Sequence, residues 1–112
     1  MSDSAYARIE QTPTLRALYE QLRAQLDNLG PYEVQHRKSG LHIIAGSAFL
    51  AVRPGPDGLL LTIVTGEPLS GSRIRSVQRS AERCHNEAMI TAATDFDDEL
   101  TEWLTQAYLR AR

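Results

Sequence analysis

The sequence is poor in cysteine and has no long hydrophobic run. Its one cysteine, Cys84, excludes a disulfide within the chain and fits a reducing compartment. The longest apolar runs are about five residues, whereas a membrane-spanning helix needs about 20. The first residues, MSDSAYARIEQ, show no basic segment followed by an apolar one, so we expect no secretion signal. Together these absences predict a cytoplasmic protein that does not enter the membrane.

The sequence also lacks the motifs that mark common enzyme sites. It contains no glycine-rich phosphate loop, no serine nucleophile elbow and no dinucleotide fingerprint. No CxxC or HxxxH spacing is present to hold zinc. We therefore expect no metal and no cofactor, and an enzyme is the least favoured class of function.

Charge is unevenly distributed along the chain. The net charge of −2 argues against a strongly basic nucleic-acid-binding protein. Residues 1–35 carry three Arg against five acids, or −2, and residues 86–112 carry two Arg against six acids, or −4. Residues 36–85 carry seven Lys and Arg against three acids, or +4. This basic middle segment either forms an anion-binding surface or pairs with the acidic ends of the chain.

The segment 41–65 is the hydrophobic centre of the sequence. Three short runs rich in Ile, Val and Leu are separated by turn residues at 45–47 and 53–58, which predicts a three-stranded antiparallel meander. The apolar surface of such a meander is too wide to leave in water, so the flanking segments must cover it. The third run, 59–64, is nearly continuous, which predicts a central strand covered on both faces.

A helix and a strand precede this meander. Thr12 and Pro13 are typical of a helix start, and Leu residues then recur at helical spacing until Gly30 and Pro31 end the pattern. Alternating residues from 32 to 37 predict a half-buried strand. Residues 1–11 show no apolar periodicity, and we expect a flexible N-terminus there.

The segment 72–84 is ambiguous. Ile74, Val77, Ala81 and Cys84 match helical spacing, which favours a short helix, but its serine content leaves an irregular strand as the alternative. Residues 85–91 then predict a strand at a sheet edge. Thr94 or Asp95 is expected to cap a C-terminal helix anchored on the sheet by Trp103. The sequence thus predicts one α+β domain over residues 12–112, with an antiparallel sheet of about five strands flanked by an N-terminal and a C-terminal helix.

Several short patterns within this order resemble a known family. These are Phe49 to Pro54 (FLAVRP), Leu59 to Leu61, His85, and the closing motifs DDEL (97–100), WL (103–104) and AY (107–108). On these residues the chain resembles a bacterial family of conserved domains of unknown function, some labelled "predicted transport protein", which carries no settled activity. In architecture alone the order is similar to small double-wing domains suspected of binding DNA.

The candidate binding surface consists of basic residues from the middle of the chain together with one histidine. These residues are Arg37, Lys38, Arg53, Arg73, Arg75, Arg79, Arg83 and His85. Lys and Arg neutralise phosphates, so a basic face is the minimum requirement for binding nucleic acid. The competing interpretation is a solvated set of arginines that pairs with the acidic C-terminal helix.

Three other groups are weaker candidates. His36 and His42 could face each other across neighbouring strands and hold zinc together with Cys84 or His85. The acids at 95–99 could hold a cation, but helix caps attract the same residues. Cys84 could act as a nucleophile beside His85, but its apolar spacing favours a packed, inert thiol. For these three groups we favour the structural interpretation.

The hypothesis that fits these observations best is a non-enzymatic binding module for a protein or a small ligand. A nucleic-acid-binding accessory domain that uses the arginines is the alternative, and a small enzyme comes third. The protein is expected to be a monomer or a homodimer, and exposure of Phe49 and Trp103 on one patch would favour the dimer.

Overall fold

The computed structural model describes residues 4–112, in which three α-helices pack on a six-stranded sheet. The helices are α1 (Ala5–Gln11), α2 (Pro13–Asp27) and α3 (Asp98–Ala111), with a short 3₁₀ turn at Ala93–Asp95. The strands are β1 (Glu33–His36), β2 (Leu41–Ala45), β3 (Ser47–Pro54), β4 (Leu59–Thr65), β5 (Arg75–Ser80) and β6 (Arg83–Ile90). Among the described residues, no helix combines the length and hydrophobicity needed to cross a membrane.

The sheet is antiparallel throughout, with the strand order β1-β2-β3-β4-β6-β5. This confirms the predicted α+β class with helices at both ends, and the meander of β2, β3 and β4 is confirmed as well. The sheet has six strands instead of the expected five or so, because the ambiguous segment contributes β5.

All three helices pack against one face of the sheet, where a single hydrophobic cluster forms the core. Alternate residues of β4 point into it: Leu59, Leu61 and Ile63 are fully buried, whereas Leu60 and Thr62 are half-buried on the other face. The expectation that this strand is covered on both faces is therefore wrong for its first five residues. The sheet has a core face and an open face.

The N-terminal segment is more ordered than its sequence indicates. Residues 5–11 form α1, the hydroxyl of Ser4 accepts a hydrogen bond from the N–H of Ala7, and Ile9 is buried in the core. The expected flexible N-terminus is thus wrong for residues 5–11, and its first three residues lie outside the described part. One buried Ile and one buried Ala are too few to create a visible period in the sequence.

The C-terminal helix begins later than predicted. Its N-cap is Asp97, whose carboxylate accepts a hydrogen bond from the N–H of Leu100, so the expected caps Thr94 and Asp95 are wrong. Trp103 is 5% exposed and anchors the helix as predicted. Phe49 is 1% exposed and meets Tyr108 edge to face at 5.4 Å, so neither Phe49 nor Trp103 lies on a patch that favours a dimer.

The favoured helix over residues 72–84 is wrong, because this segment forms β5 and the start of β6. The apolar residues that matched helical spacing do not share an environment: Cys84 is fully buried, whereas Val77 is 42% exposed. Ser80 pairs with Arg83, which leaves Ala81 and Glu82 as a two-residue turn. The strand after that turn, β6, lies between β4 and β5, so the prediction that it forms a sheet edge is also wrong.

A polar residue fixes β6 in this inner position. The Asn86 side chain is fully buried on the core face, where its amide nitrogen donates to the carbonyl of Ile63 and to the hydroxyl of Thr65, both at 2.8 Å. Its oxygen accepts from the N–H of Leu69 at 2.9 Å and from the hydroxyl of Ser76 at 2.6 Å. One side chain therefore joins β6 to β4, to β5 and to the connector between them.

We predict that Asn86→Ala lowers the free energy of unfolding by about 2–4 kcal/mol, because it leaves several buried donors and acceptors without partners. Urea denaturation followed by circular dichroism measures this loss. Asn28→Ala is the matched control, since Asn28 is exposed at the end of α2 and a change there should cost less than about 0.5 kcal/mol. Equal losses in the two variants would contradict the role assigned to Asn86.

Candidate binding surface on the open face of the sheet

The open face is built by the strand residues that alternate with the core residues. Paired residues of neighbouring antiparallel strands point to the same side of a sheet. Arg75 pairs with Glu87 and Val77 pairs with His85, so all four side chains lie on the open face at its β5–β6 end. Val77 is 42% exposed, and Met89, further along β6, is 41% exposed. This end of the open face thus carries both charged and exposed apolar groups.

Three further arginines join this end of the sheet. Arg53 of β3 pairs with Leu60 on the open face, and its guanidinium lies 3.7 Å from the carboxylate of Glu87. Arg79 and Arg83 lie close enough to His85 to lower the pKa of its imidazole. We call the resulting surface the arginine face. It comprises Arg53, Arg75, Val77, Arg79, Arg83, His85, Glu87 and Met89.

Three of the four arginines on this surface form no ion pair with the described part of the chain. Within residues 4–112, Arg75, Arg79 and Arg83 form no ion pair, and all three are exposed. The pair between Arg53 and Glu87 is long and solvent-exposed, and pairs of this kind contribute little to stability. The three exposed arginines therefore do not pair with the C-terminal helix, whereas their exposure agrees with the other part of the competing interpretation, in which they are solvated.

The electrostatics of His85 reflect this excess of positive charge. Its pKa is lowered from the usual 6.5, first by partial burial and then by the positive charges of Arg79 and Arg83, with Glu87 opposing the shift. Two arginines therefore oppose protonation of this imidazole, and an anion bound beside them would favour its protonated form.

Arg73 is the predicted site residue that does pair with the acidic helix. Its guanidinium lies 5.0 Å from the ring centroid of Trp103 and 2.7 Å from the carboxylate of Asp97, and it also approaches the carboxylates of Asp95 and Glu99. Asp95 and Asp97 both have a lowered pKa, chiefly because each carboxylate accepts backbone N–H hydrogen bonds from the adjoining turns. Arg73 thus fixes the start of α3 and lies apart from the arginine face.

Arg37 and Lys38 also lie apart from this surface. They belong to the turn between β1 and β2, at the opposite edge of the sheet from β5. Arg37 donates to the side chain of Gln35 at 3.0 Å, and the carbonyl of Lys38 accepts from the N–H of Ala5 at 3.0 Å. Of the eight candidate binding residues, the structure therefore brings five together, namely Arg53, Arg75, Arg79, Arg83 and His85.

The weaker candidates do not form sites. His36 pairs with Leu41 while His42 pairs with Gln35, so the two histidines point to opposite faces and the idea that they face each other is wrong. Cys84 is fully buried on the core face, away from His85. Within residues 4–112, no group of three His, Cys, Asp or Glu side chains is placed to hold a metal ion.

Sequence reasoning missed two features. Cys84, Ala88 and Ile90 alternate into the core, and Asn86 occupies the position of β6 between them that also faces the core. A polar residue at such a core position is the sequence signal from which Asn86 could have been identified. A shallow cavity of about 520 Å³ lies beside β1, β2 and the end of α3, lined by residues that include Glu33, Ile44 and Arg112. Residues so far apart in the chain gave no sequence signal of a common cavity.

A family model described as "Domain of unknown function (DUF5655)" matches residues 5–111. The chain belongs to the DUF5655 family. This confirms the expected membership in a conserved family of unknown function, while its bacterial distribution stays a prediction. No curated protein and no solved structure shows significant similarity to the chain. The DUF5655 match supplies no activity.

We predict that Arg79→Gln together with Arg83→Gln raises the pKa of His85 toward 6.5, because it removes two positive charges but leaves the burial of the ring. Titration of the imidazole by NMR measures the change. An unaltered pKa in the double variant would show that the two arginines do not act on His85 as the geometry indicates.

We also predict that His85 makes the folded state less stable in mild acid. Its pKa is lower in the folded protein than in the unfolded chain, so the unfolded chain binds more protons below about 6.5. Stability should therefore decline as the pH falls from 6.5 through the folded pKa of His85. Thermal unfolding across this range should show a smaller decline for His85→Gln than for the wild type, and equal declines would contradict the shift.

Proposed function

We propose that this DUF5655 domain is a non-enzymatic binding module of the cytoplasm, and that its arginine face recognises an acidic segment of a protein partner. The observation that carries the proposal is the set of three exposed arginines, Arg75, Arg79 and Arg83, none of which forms an ion pair within residues 4–112. Unneutralised charge on one face attracts a partner of the opposite sign and guides its approach.

The apolar residues of the arginine face support a protein partner. Val77 and Met89 are 42% and 41% exposed among the arginines, so they would bury apolar surface on association. Met and Arg are both enriched in protein–protein interfaces. A surface that combines these residue types suits a polypeptide carrying acidic and apolar side chains.

The composition of the open face makes nucleic acid the second candidate. The arginines could neutralise phosphates, which favours it. However, the strands of the described sheet place no Phe, Tyr or Trp on the open face, and proteins that bind single strands usually stack bases on such rings. Both candidate functions need the same arginines. They are therefore distinguished by comparing the affinities for a peptide and for an oligonucleotide under the same conditions.

We predict that the domain binds a fluorescein-labelled peptide that repeats Glu-Ser-Val-Ser, and that Arg75→Gln together with Arg79→Gln weakens binding at least about tenfold. Fluorescence anisotropy at low and at physiological salt measures the affinity. The matched control is Arg8→Gln together with Arg16→Gln, which also removes two positive charges. These two arginines are exposed on α1 and α2, the helices on the opposite side of the sheet from the arginine face. The control pair should leave binding within about twofold.

Labelled single-stranded and duplex oligonucleotides are titrated under the same conditions. Tighter binding of an oligonucleotide than of the peptide, lost in the Arg75 and Arg79 variant, would replace the proposal by the nucleic-acid function. Equal weakening by the two variant pairs, or no binding of the peptide at low salt, would overturn the proposal.

A further inference from the structure

We infer that β5 is a docking strand, and that the acidic segment binds by adding a strand to this edge of the sheet. The inference rests on the proposed function, because it takes the acidic partner from there and adds the way in which the segment is held. It assigns the backbone of residues 75–80 to recognition, in addition to the arginine side chains.

The first support is the unpaired edge of β5. Within residues 4–112, this strand pairs with β6 alone, and no backbone hydrogen bond links residues 75–80 to any other segment. In an antiparallel sheet, every second residue of an edge strand points its N–H and C=O outward. These outward groups form a template on which an extended peptide can make backbone hydrogen bonds.

The other edge of the sheet is a poorer template. β1 has four residues, Glu33–His36, whereas β5 has six. The N-terminal helix lies beside β1, since the ring of Tyr6 meets the ring of His36 at 4.6 Å and the N–H of Ala5 binds the carbonyl of Lys38. The β5 edge is therefore the longer of the two, and within residues 4–112 no helix forms a backbone hydrogen bond with it.

The side chains of β5 select the occupant. Arg75 and Val77 point to the open face, and Arg79 lies at the register shift between Gln78 and Ser80, close enough to His85 to lower its pKa. Side chains on an added strand stand beside those of the strand with which it pairs, and opposite charges placed side by side are favourable. A segment that places acids beside the two arginines and an apolar residue beside Val77 is complementary to β5.

The same arginines argue against a second copy of the chain as the occupant. Two antiparallel β5 strands would bring arginines of one copy close to arginines of the other, and like charges across strands are destabilising. Charge on an edge strand is a common protection against self-association. The charges on β5 thus oppose pairing with β5 of a second copy and favour pairing with an acidic strand.

The test compares two acidic probes on the intact domain. The first is the unlabelled peptide that repeats Glu-Ser-Val-Ser, which on an extended strand places Glu beside the two arginines and Val beside Val77. The second has the same sequence with its internal amides N-methylated, which keeps every side chain and charge but removes the donors needed for strand pairing. We expect N-methylation to weaken binding at least about tenfold, as measured by competition against the labelled peptide.

Amide hydrogen exchange followed by NMR gives a second readout. The peptide should slow the exchange of outward amides in residues 75–80 at least about tenfold, with residues 33–36 of β1 as the unaffected reference. Protection of β1 instead of β5, or equal affinity of the two probes, would overturn the docking strand. If affinity is equal but still falls in the Arg75 and Arg79 variant, the proposed function survives without strand addition. If neither probe binds, both proposals fail.

Discussion

The hydrogen bonds of the buried Asn86 side chain are the interaction on which the rest of the structure depends. They hold β6 against β4 through Ile63 and Thr65, and against β5 through Ser76. A buried amide is stable only when its partners are in place, so this side chain favours one arrangement of the surrounding strands over others. With β6 placed between β4 and β5, β5 becomes the edge and its arginines reach the open face.

The resulting domain has two chemically different sides. Acidic residues gather at the start of α3, where they cap backbone turns and hold Arg73 against Trp103. The open face carries exposed arginines that these acids do not reach. A chain with a net charge of −2 can therefore still present a positive surface, because its charges are segregated. The structure separates Arg73, which forms ion pairs at the start of α3, from arginines that are exposed and form no ion pair within residues 4–112, a distinction that sequence alone does not make.

The sequence predicts the elements whose patterns are long and regular. The leucine stripe of α2, the meander of β2 to β4 and the apolar stripe of α3 are confirmed, and with them the α+β class. It fails at β5 because the turn at Ala81 and Glu82 has no Gly or Asn to mark a hairpin. There the side-chain amide of Gln78 binds the carbonyls of Ser80 and Arg83 instead. Five residues of the arginine face were therefore among the predicted binding residues, whereas the strand order that groups them and leaves out Arg37, Lys38 and Arg73 is not visible in the sequence.

The most direct test of this account is to establish the conformation of residues 72–84 in solution by NMR. The account predicts cross-strand nuclear Overhauser effects between Val77 and His85 and between Arg75 and Glu87, which follow from the pairing of β5 with β6. Contacts between residues three apart along the segment, typical of a helix, would contradict it. In that case the edge strand and the arginine face built on it would not exist.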